Sequence, residues 1–368
     1  SNLESDIKDP SEHAQKGIEH LIEGEKNYSF GALADTLNNI LFKSNAPKRI
    51  DLLSLDVEGS EIEVLKGINH KEYRFKYLCI ETRDYKKLSS EIKKSKASII
   101  FHLAAQPLVR YSYLEPKETF DTNFTGTLNI MECIKNNKKI KTGIIITTDK
   151  VYDVSKNKIF KEDDKLGGLD PYSSSKVCAE QMVHSYKNSF FKETNFQQLA
   201  TVRAGNVIGG GDYSEDRLIP DIYRFKKSNK NIFLRNPSAV RPWQHVLEPL
   251  NGYLILAQKI HTSKIKNEKQ NWNFGPNISC CKSVKYVSNF FAKNLNLNVK
   301  TNSKKKNNFK PETSILRLSN FKSRKILNWY PKWNLDTSLK KIIEWNEKIT
   351  NNNARKICED QIIEFLKR

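Results

Sequence analysis

No run in this chain approaches the ~20 consecutive apolar residues that a membrane-spanning helix requires, so the sequence predicts none and no membrane partner. Cysteine is sparse. The six thiols (79, 133, 178, 280, 281 and 358) form no CxxC pair, which argues against a disulfide frame or a metal site. They predict reduced thiols and a cytoplasmic protein. Neither zinc spacing nor an aromatic-basic module accompanies the formal net charge of +20, so nucleic acid is not the expected partner. A solvated, lysine-rich surface that attracts small anions is. The glycine turn GxxGxxG, which receives a dinucleotide pyrophosphate at a helix amino terminus, is absent. Gly209-Gly210-Gly211 does not replace it, because it follows a late strand and lacks the spacing. The amino terminus is polar and mixed in charge, unlike a secretory signal. It opens at Ser1, as expected of a processed chain or a piece of something longer.

What is there centres on residues 143–178. Ile144-Ile145-Ile146 reads as a buried parallel strand that breaks into Thr147-Thr148-Asp149-Lys150. Polar residues at the carboxyl end of such a strand lie where open α/β sheets bind ligands. Further on, Tyr172-Ser-Ser-Ser-Lys176 opens a helix, and its ends are four apart, so they share one face. An ammonium beside a phenol favours the phenolate and is expected to lower a pKa that is ordinarily ~10. Two further strands, Ile99–Leu103 and Gln198–Ala204, exit into Ala104-Ala105-Gln106 and Gly205-Asn206. Pro116 to Asn137 reads as a helix with Phe120, Phe124, Leu128, Met131 and Ile134 on its core face and Asn123 interrupting it. His102 reads as a structural histidine.

Strand-TTDK, DPYSSSK, HLAAQPLVR, RAGNVIGGGD and RPWQHVLEPLNGY together resemble the extended short-chain dehydrogenase/reductases. Within them they resemble the nucleotide-sugar 4,6-dehydratases of the NAD-dependent epimerase/dehydratase family. Lys150, where the dTDP-glucose enzymes usually carry Glu, is similar to the CDP-glucose branch. The resemblance covers about residues 83–350. It implies a Rossmann-like doubly wound parallel α/β sheet, incomplete because the first three strands are missing, over 83–205. A smaller α/β substrate lobe with carboxyl-terminal helices follows over 206–368. It implies NAD near Ala104, Ala105, Gln106, Tyr172 and Lys176, and the nucleotide sugar CDP-glucose near Arg110, Asn206, Arg217, Arg235 and Arg241. It implies catalysis by Thr148, Asp149, Lys150, Tyr172 and Lys176 without a metal. In that scheme Tyr172 deprotonates the C4 hydroxyl, Asp149 protonates the departing C6 hydroxyl, and Lys150 takes the C5 proton. The product is a 4-keto-6-deoxy sugar nucleotide for cell-surface, lipopolysaccharide-type deoxysugars. The family also implies a homodimer paired through a bundle that includes the Tyr172 helix.

The front of the chain reads differently. Leu33, Leu37, Ile40 and Leu41 fall on one helical face, and strands at 50–56 and 77–81 flank a helix in a β-α-β unit. IDLLSLDVEGSEIEVLKG resembles the later half of FkbM-type S-adenosylmethionine-dependent methyltransferases, which makes 1–82 a fragment and places Asp56 and Glu58 at a methyltransferase cleft. The bland alternative is a strand-to-helix turn with acidic residues near a helix amino terminus. Three readings follow: a dehydratase, a methyltransferase, and a catalytically silent fusion. A place for Tyr77–Glu81 in the missing part of the dehydratase sheet is a further expectation.

Overall fold

Runs of Ile, Leu and Val between polar turns fold as strands in the computed structural model. It describes residues 36–45, 47–55, 67–69, 71–80, 85–155, 158–191, 197–265, 271–301, 315–350 and 353–367. The chain divides into two compact units, Ser1–Lys96 and Ala97–Arg368. In the first, α1 (Leu37–Lys43) is capped by Thr36, whose hydroxyl accepts from the Asn39 N–H at 3.2 Å. None of its residues is fully buried; of the predicted apolar face Leu37 and Leu41 are half-buried, Ile40 is exposed, and Leu33 lies outside the described residues. Strands β1 (Arg49–Leu55) and β2 (Arg74–Ile80) pair in parallel, as the β-α-β reading expects, and α2 (Tyr85–Ser95) follows. They form a two-stranded sheet of their own among the described residues, so Tyr77 to Ile80 does not take the place expected for it beside the strand at 99–102. Asp56 and Glu58 lie outside the described residues.

The second unit is built on a four-stranded parallel sheet. It opens with β3 (Ile99–His102), α3 (Val109–Leu114), α4 (Pro116–Phe120), a π-helical turn at Asp121–Thr125 and α5 (Gly126–Lys135). Then come β4 (Thr142–Ile146), α6 (Pro171–Tyr186), β5 (Gln198–Ala204), β6 (Asn206–Ile208), α7 (Leu218–Lys227), β7 (Ile232–Leu234) and β8 (Val240–His245). The chain continues through α8 (Leu247–His261), β9 (Asn271–Phe274), β10 (Cys281–Ser283), α9 (Val284–Leu295), β11 (Val299–Thr301), α10 (Leu335–Lys348) and α11 (Ala354–Lys367).

Sheet order is β3-β4-β5-β9, with every pair parallel. Alternation along β5 divides its two faces. Ala200, Val202 and Ala204 pack on Tyr253 and Leu256 of α8, with Trp272, Phe274 and Trp329. Arg203 points the other way, to Glu180 of α6. Helices therefore cover both faces. The smaller lobe joins β6, β8 and β10 in one sheet and β7 with β11 in another. Its core gathers Ile222, Leu234, Trp243, Phe291, Leu339 and Ile342.

The helix predicted over 116–137 is interrupted by the π turn; Met131 and Ile134 are buried as predicted, but its earlier part presents a different face. Thr119, Asn123 and Thr127 are buried, whereas Phe120, Phe124 and Leu128 are only half-buried. Asn123 therefore belongs to the inward face instead of interrupting it. Hydrogen bonds, which periodicity does not register, explain the choice: each of the three polar side chains has a partner below it.

Candidate active site

The site forms where β3, β4 and β5 end. β4 stops because Thr148 turns the chain, its hydroxyl accepting the Lys150 N–H at 3.3 Å to cap a short 3₁₀ turn, Asp149–Val151. α6 starts at Asp170, whose carboxylate accepts from the Ser173 N–H at 2.9 Å and from the Ser173 hydroxyl at 2.6 Å, with Pro171 in the first turn. This start is fixed against α3, since the Tyr172 N–H donates to Ser112 Oγ at 3.1 Å. Tyr172 and Lys176 are both buried on one face of the helix, as their spacing predicts.

Thr148 lies near enough to the Tyr172 phenol to favour its ionised form, and the Thr148 hydroxyl is 3.2 Å from Asp149 Oδ1. The second carboxylate oxygen of Asp149 is buried without a partner, and burial lifts this carboxyl to about 6 against the opposing pull of Lys150 and Arg241. The Lys150 ammonium stands 5.8 Å from the centre of the Tyr172 ring. Lys176 donates to the Ile146 carbonyl at 3.3 Å, and burial lowers it to about 8, opposed by Glu180. The expected depression of Tyr172 by Lys176 is not seen in this structure. Burial dominates and pushes the phenol up to about 12, with Asp149 and Asp170 acting in the same sense, while Thr148 and Arg217 pull it down.

At the β3 exit Ala104 is exposed and Ala105 half-buried. The Gln106 side chain turns inward, its amide donating to Thr119 Oγ1 at 2.7 Å. Asn123 holds this exit in place. Its carbonyl accepts the Gln106 N–H at 2.8 Å, and its amide donates to the Gln106 carbonyl at 3.0 Å and to Ser175 Oγ at 2.9 Å. Asn206 sits half-buried in β6, opposite Trp243. Arg241 is buried and donates to the Val240 carbonyl at 3.0 Å. Arg217 pairs with Asp212 at 2.9 Å, and Arg235 with Asp216 at 2.7 Å. Arg110 reaches the same Asp216 oxygen.

Sequence reasoning missed the buried pair beneath the site. Arg203 Nε donates to Glu180 Oε1 at 2.7 Å and Nη1 to the Tyr152 hydroxyl at 2.7 Å. Thr147 Oγ1 donates to the same Glu180 oxygen at 2.6 Å. The one available signal was a charged residue inside the mainly apolar strand β5, and an arginine is almost never fully buried unless paired. Arg317 Nε is also buried without a partner. Among the described residues no cluster of His, Cys, Asp and Glu could hold a metal.

A family profile described as GDP-mannose 4,6 dehydratase matches residues 39–342. CDP-glucose 4,6-dehydratase of Salmonella typhimurium is 40% identical over 289 residues, which cover 77% of this chain and 80% of that protein. Among solved structures, dTDP-glucose 4,6-dehydratase from Bacillus anthracis in complex with NAD superposes with a TM-score of 0.63 at 22% identity, covering 86% of this chain and 92% of that one. DesIV, the dTDP-glucose 4,6-dehydratase of Streptomyces venezuelae, gives 0.66 at 18% identity over the same shares, 86% and 92%. At these identities the superpositions show a shared fold.

Proposed function

Because this chain belongs to the GDP-mannose 4,6-dehydratase family, we propose that it dehydrates a nucleotide sugar, CDP-glucose, to the 4-keto-6-deoxy product. The observation that carries the reading is that Thr148, 3.2 Å from Asp149 Oδ1, and Asp149 itself are buried beside the Tyr172 phenol and both act on it. It puts a proton acceptor for one sugar hydroxyl and a proton donor for another at a single strand exit.

The residues present fit the nicotinamide-ribose half of NAD. Lys176 is a buried ammonium with three donors whose one described hydrogen bond is long, which suits a ribose diol. For the pyrophosphate half the sequence offers no glycine turn. When bound, NAD supplies hydride acceptance and return, and its positive nicotinamide would pull the Tyr172 phenol down from about 12.

In this reading Tyr172 Oη takes the proton of the C4 hydroxyl while Thr148 orients that hydroxyl. Asp149, lifted to about 6, retains enough of its acid form near neutrality to protonate the departing C6 hydroxyl. Lys150 faces the same ring and takes the C5 proton. Arg241, buried beside Asp149, and Arg217 neutralise the substrate diphosphate. We assign 83–205 to the cofactor and catalytic residues and 206–368 mainly to the substrate. Cys133, Cys178, Cys280, Cys281 and Cys358 are free thiols, which supports a reducing, cytoplasmic setting. Leu114 and Phe190, exposed beside the Tyr172 helix, support a homodimer through this side.

Incubation with CDP-glucose and NAD, followed by assay for the keto-sugar, tests the reading. Tyr172→Phe is expected to lower turnover by about 10²–10⁴ while nucleotide-sugar binding persists. Matching traces from the two proteins would leave the silent fusion. Binding of S-adenosylmethionine without keto-sugar formation would favour the methyltransferase.

A further inference from the structure

We propose that Asp216 is a built-in stand-in for a substrate phosphate, holding Arg110 and Arg235 around one anion seat until the diphosphate displaces it. The inference rests on the nucleotide-sugar reading. Arg110 on α3 and Arg235 after β7 are far apart in sequence, yet both donate to Asp216 Oδ1, Arg235 at 2.7 Å and Arg110 in closer contact. Arg235 Nη2 also donates to the Asp216 carbonyl at 3.3 Å. Two guanidinium groups that converge on one oxygen form a seat for an oxyanion, and a single carboxylate leaves that seat with net positive charge.

The carboxylate arrives there on a strap, residues 209–217, that follows β6. Gly211, at φ 79, and Asp216 itself, at φ 58, turn the strap. A Cβ on Gly210 would fall 2.2 Å from the Trp345 ring, so only glycine lets the strap lie this close to α10. The same strap places Asp212 on Arg217. Carboxylates from one segment thus cover three arginines, Arg110, Arg217 and Arg235.

Relative strength favours exchange. The Asp216 pairs are solvent-accessible, with side-chain exposures of 38% for Asp216, 49% for Arg110 and 31% for Arg235. Such pairs are weak, each worth about a fivefold factor in an equilibrium at most. A diphosphate brings more charge and more acceptor oxygens, and it engages guanidinium forks bidentately.

Calorimetric titration of the full chain with inorganic pyrophosphate, CDP and cytidine tests the proposal, using Asp216→Asn, Asp216→Ser and Asp212→Asn, each checked for folding by its thermal melt. Removing the stand-in is expected to tighten pyrophosphate and CDP by roughly three- to tenfold, which two weak exposed pairs can supply together but one cannot. Cytidine affinity should not change, and the salt dependence of pyrophosphate binding should steepen. Asp212→Asn, which leaves the seat intact, should give a smaller gain. In turnover, KM for CDP-glucose should fall by more than kcat changes. Unchanged or weaker pyrophosphate binding in both folded Asp216 variants overturns the stand-in, even where the native protein binds CDP. CDP binding no tighter than pyrophosphate in every form would instead overturn the nucleotide-sugar reading, while a gain for pyrophosphate still supports the stand-in.

Discussion

At the scale of single residues, the chemistry depends on which form of each buried acid the protein favours. Asp149 has a folded pKa of about 6, raised from 3.8 by burial, so its acid form survives well above the usual carboxylate range. A group that must donate a proton is active below its pKa. kcat/KM, which reports the free protein, is therefore expected to fall as pH rises through about 6. Asp149→Asn should remove that limb and lower kcat by about 10²–10⁴. A pH profile of the two proteins between pH 5 and 8 checks both statements; a native profile flat across pH 6 would rule Asp149 out as the acid. Tyr172 argues the converse. With burial holding it at about 12, the helix lysine alone does not make this phenol a base at neutral pH.

Elements are locked to one another by polar groups as much as by apolar ones. Glu180 of α6, Arg203 of β5 and Thr147 at the end of β4 share one buried network, which sets the Tyr172 helix against the strand that presents Thr148. Tyr152 extends it, accepting from Arg203 and donating to Asn273 Oδ1 at 2.8 Å. Glu180→Gln leaves a charged guanidinium in the interior and is expected to destabilise by roughly 3–5 kcal/mol. A double replacement, Glu180→Met with Arg203→Met, should destabilise less than either single change, because no lone charge remains. Urea midpoints of the double replacement and of Glu180→Met and Arg203→Met alone settle the order. The network was largely illegible in the sequence. Glu180 sits on a helix where a glutamate is ordinary, and only the pairing of β4 with β5 brings Arg203 beneath it.

For the whole molecule, acid stability should follow its buried imidazoles. His102, hydrogen-bonded to Thr127 at 3.0 Å, and His245, packed edge-on to Trp333, are both pushed down to about 4 by burial, with Lys176 and Lys341 respectively adding to the effect. Their folded pKa lies below the unfolded value of 6.5, so the native state binds fewer protons. The stability they contribute is complete above pH 6.5 and is lost as pH falls towards about 4. Roughly 3 kcal/mol per histidine is at stake, from about 1.4 kcal/mol per pKa unit. Melting temperatures at pH 7 and pH 5 should diverge, and by less in His102→Gln. Equal divergence in the variant would exclude His102 as a source.

Local order was determined by the sequence alone. The β-branched run at Ile144, the Asp170-Pro171 helix start and the Tyr172–Lys176 spacing each follow from a few neighbouring residues, and periodicity reads those directly. Tertiary structure alone decided the partners: Asp216 between two arginines, Glu180 under Arg203, and the inward turn of Thr119, Asn123 and Thr127. Contacts of this kind join residues far apart in the chain, and their free energy comes from burial and pairing that no local pattern records.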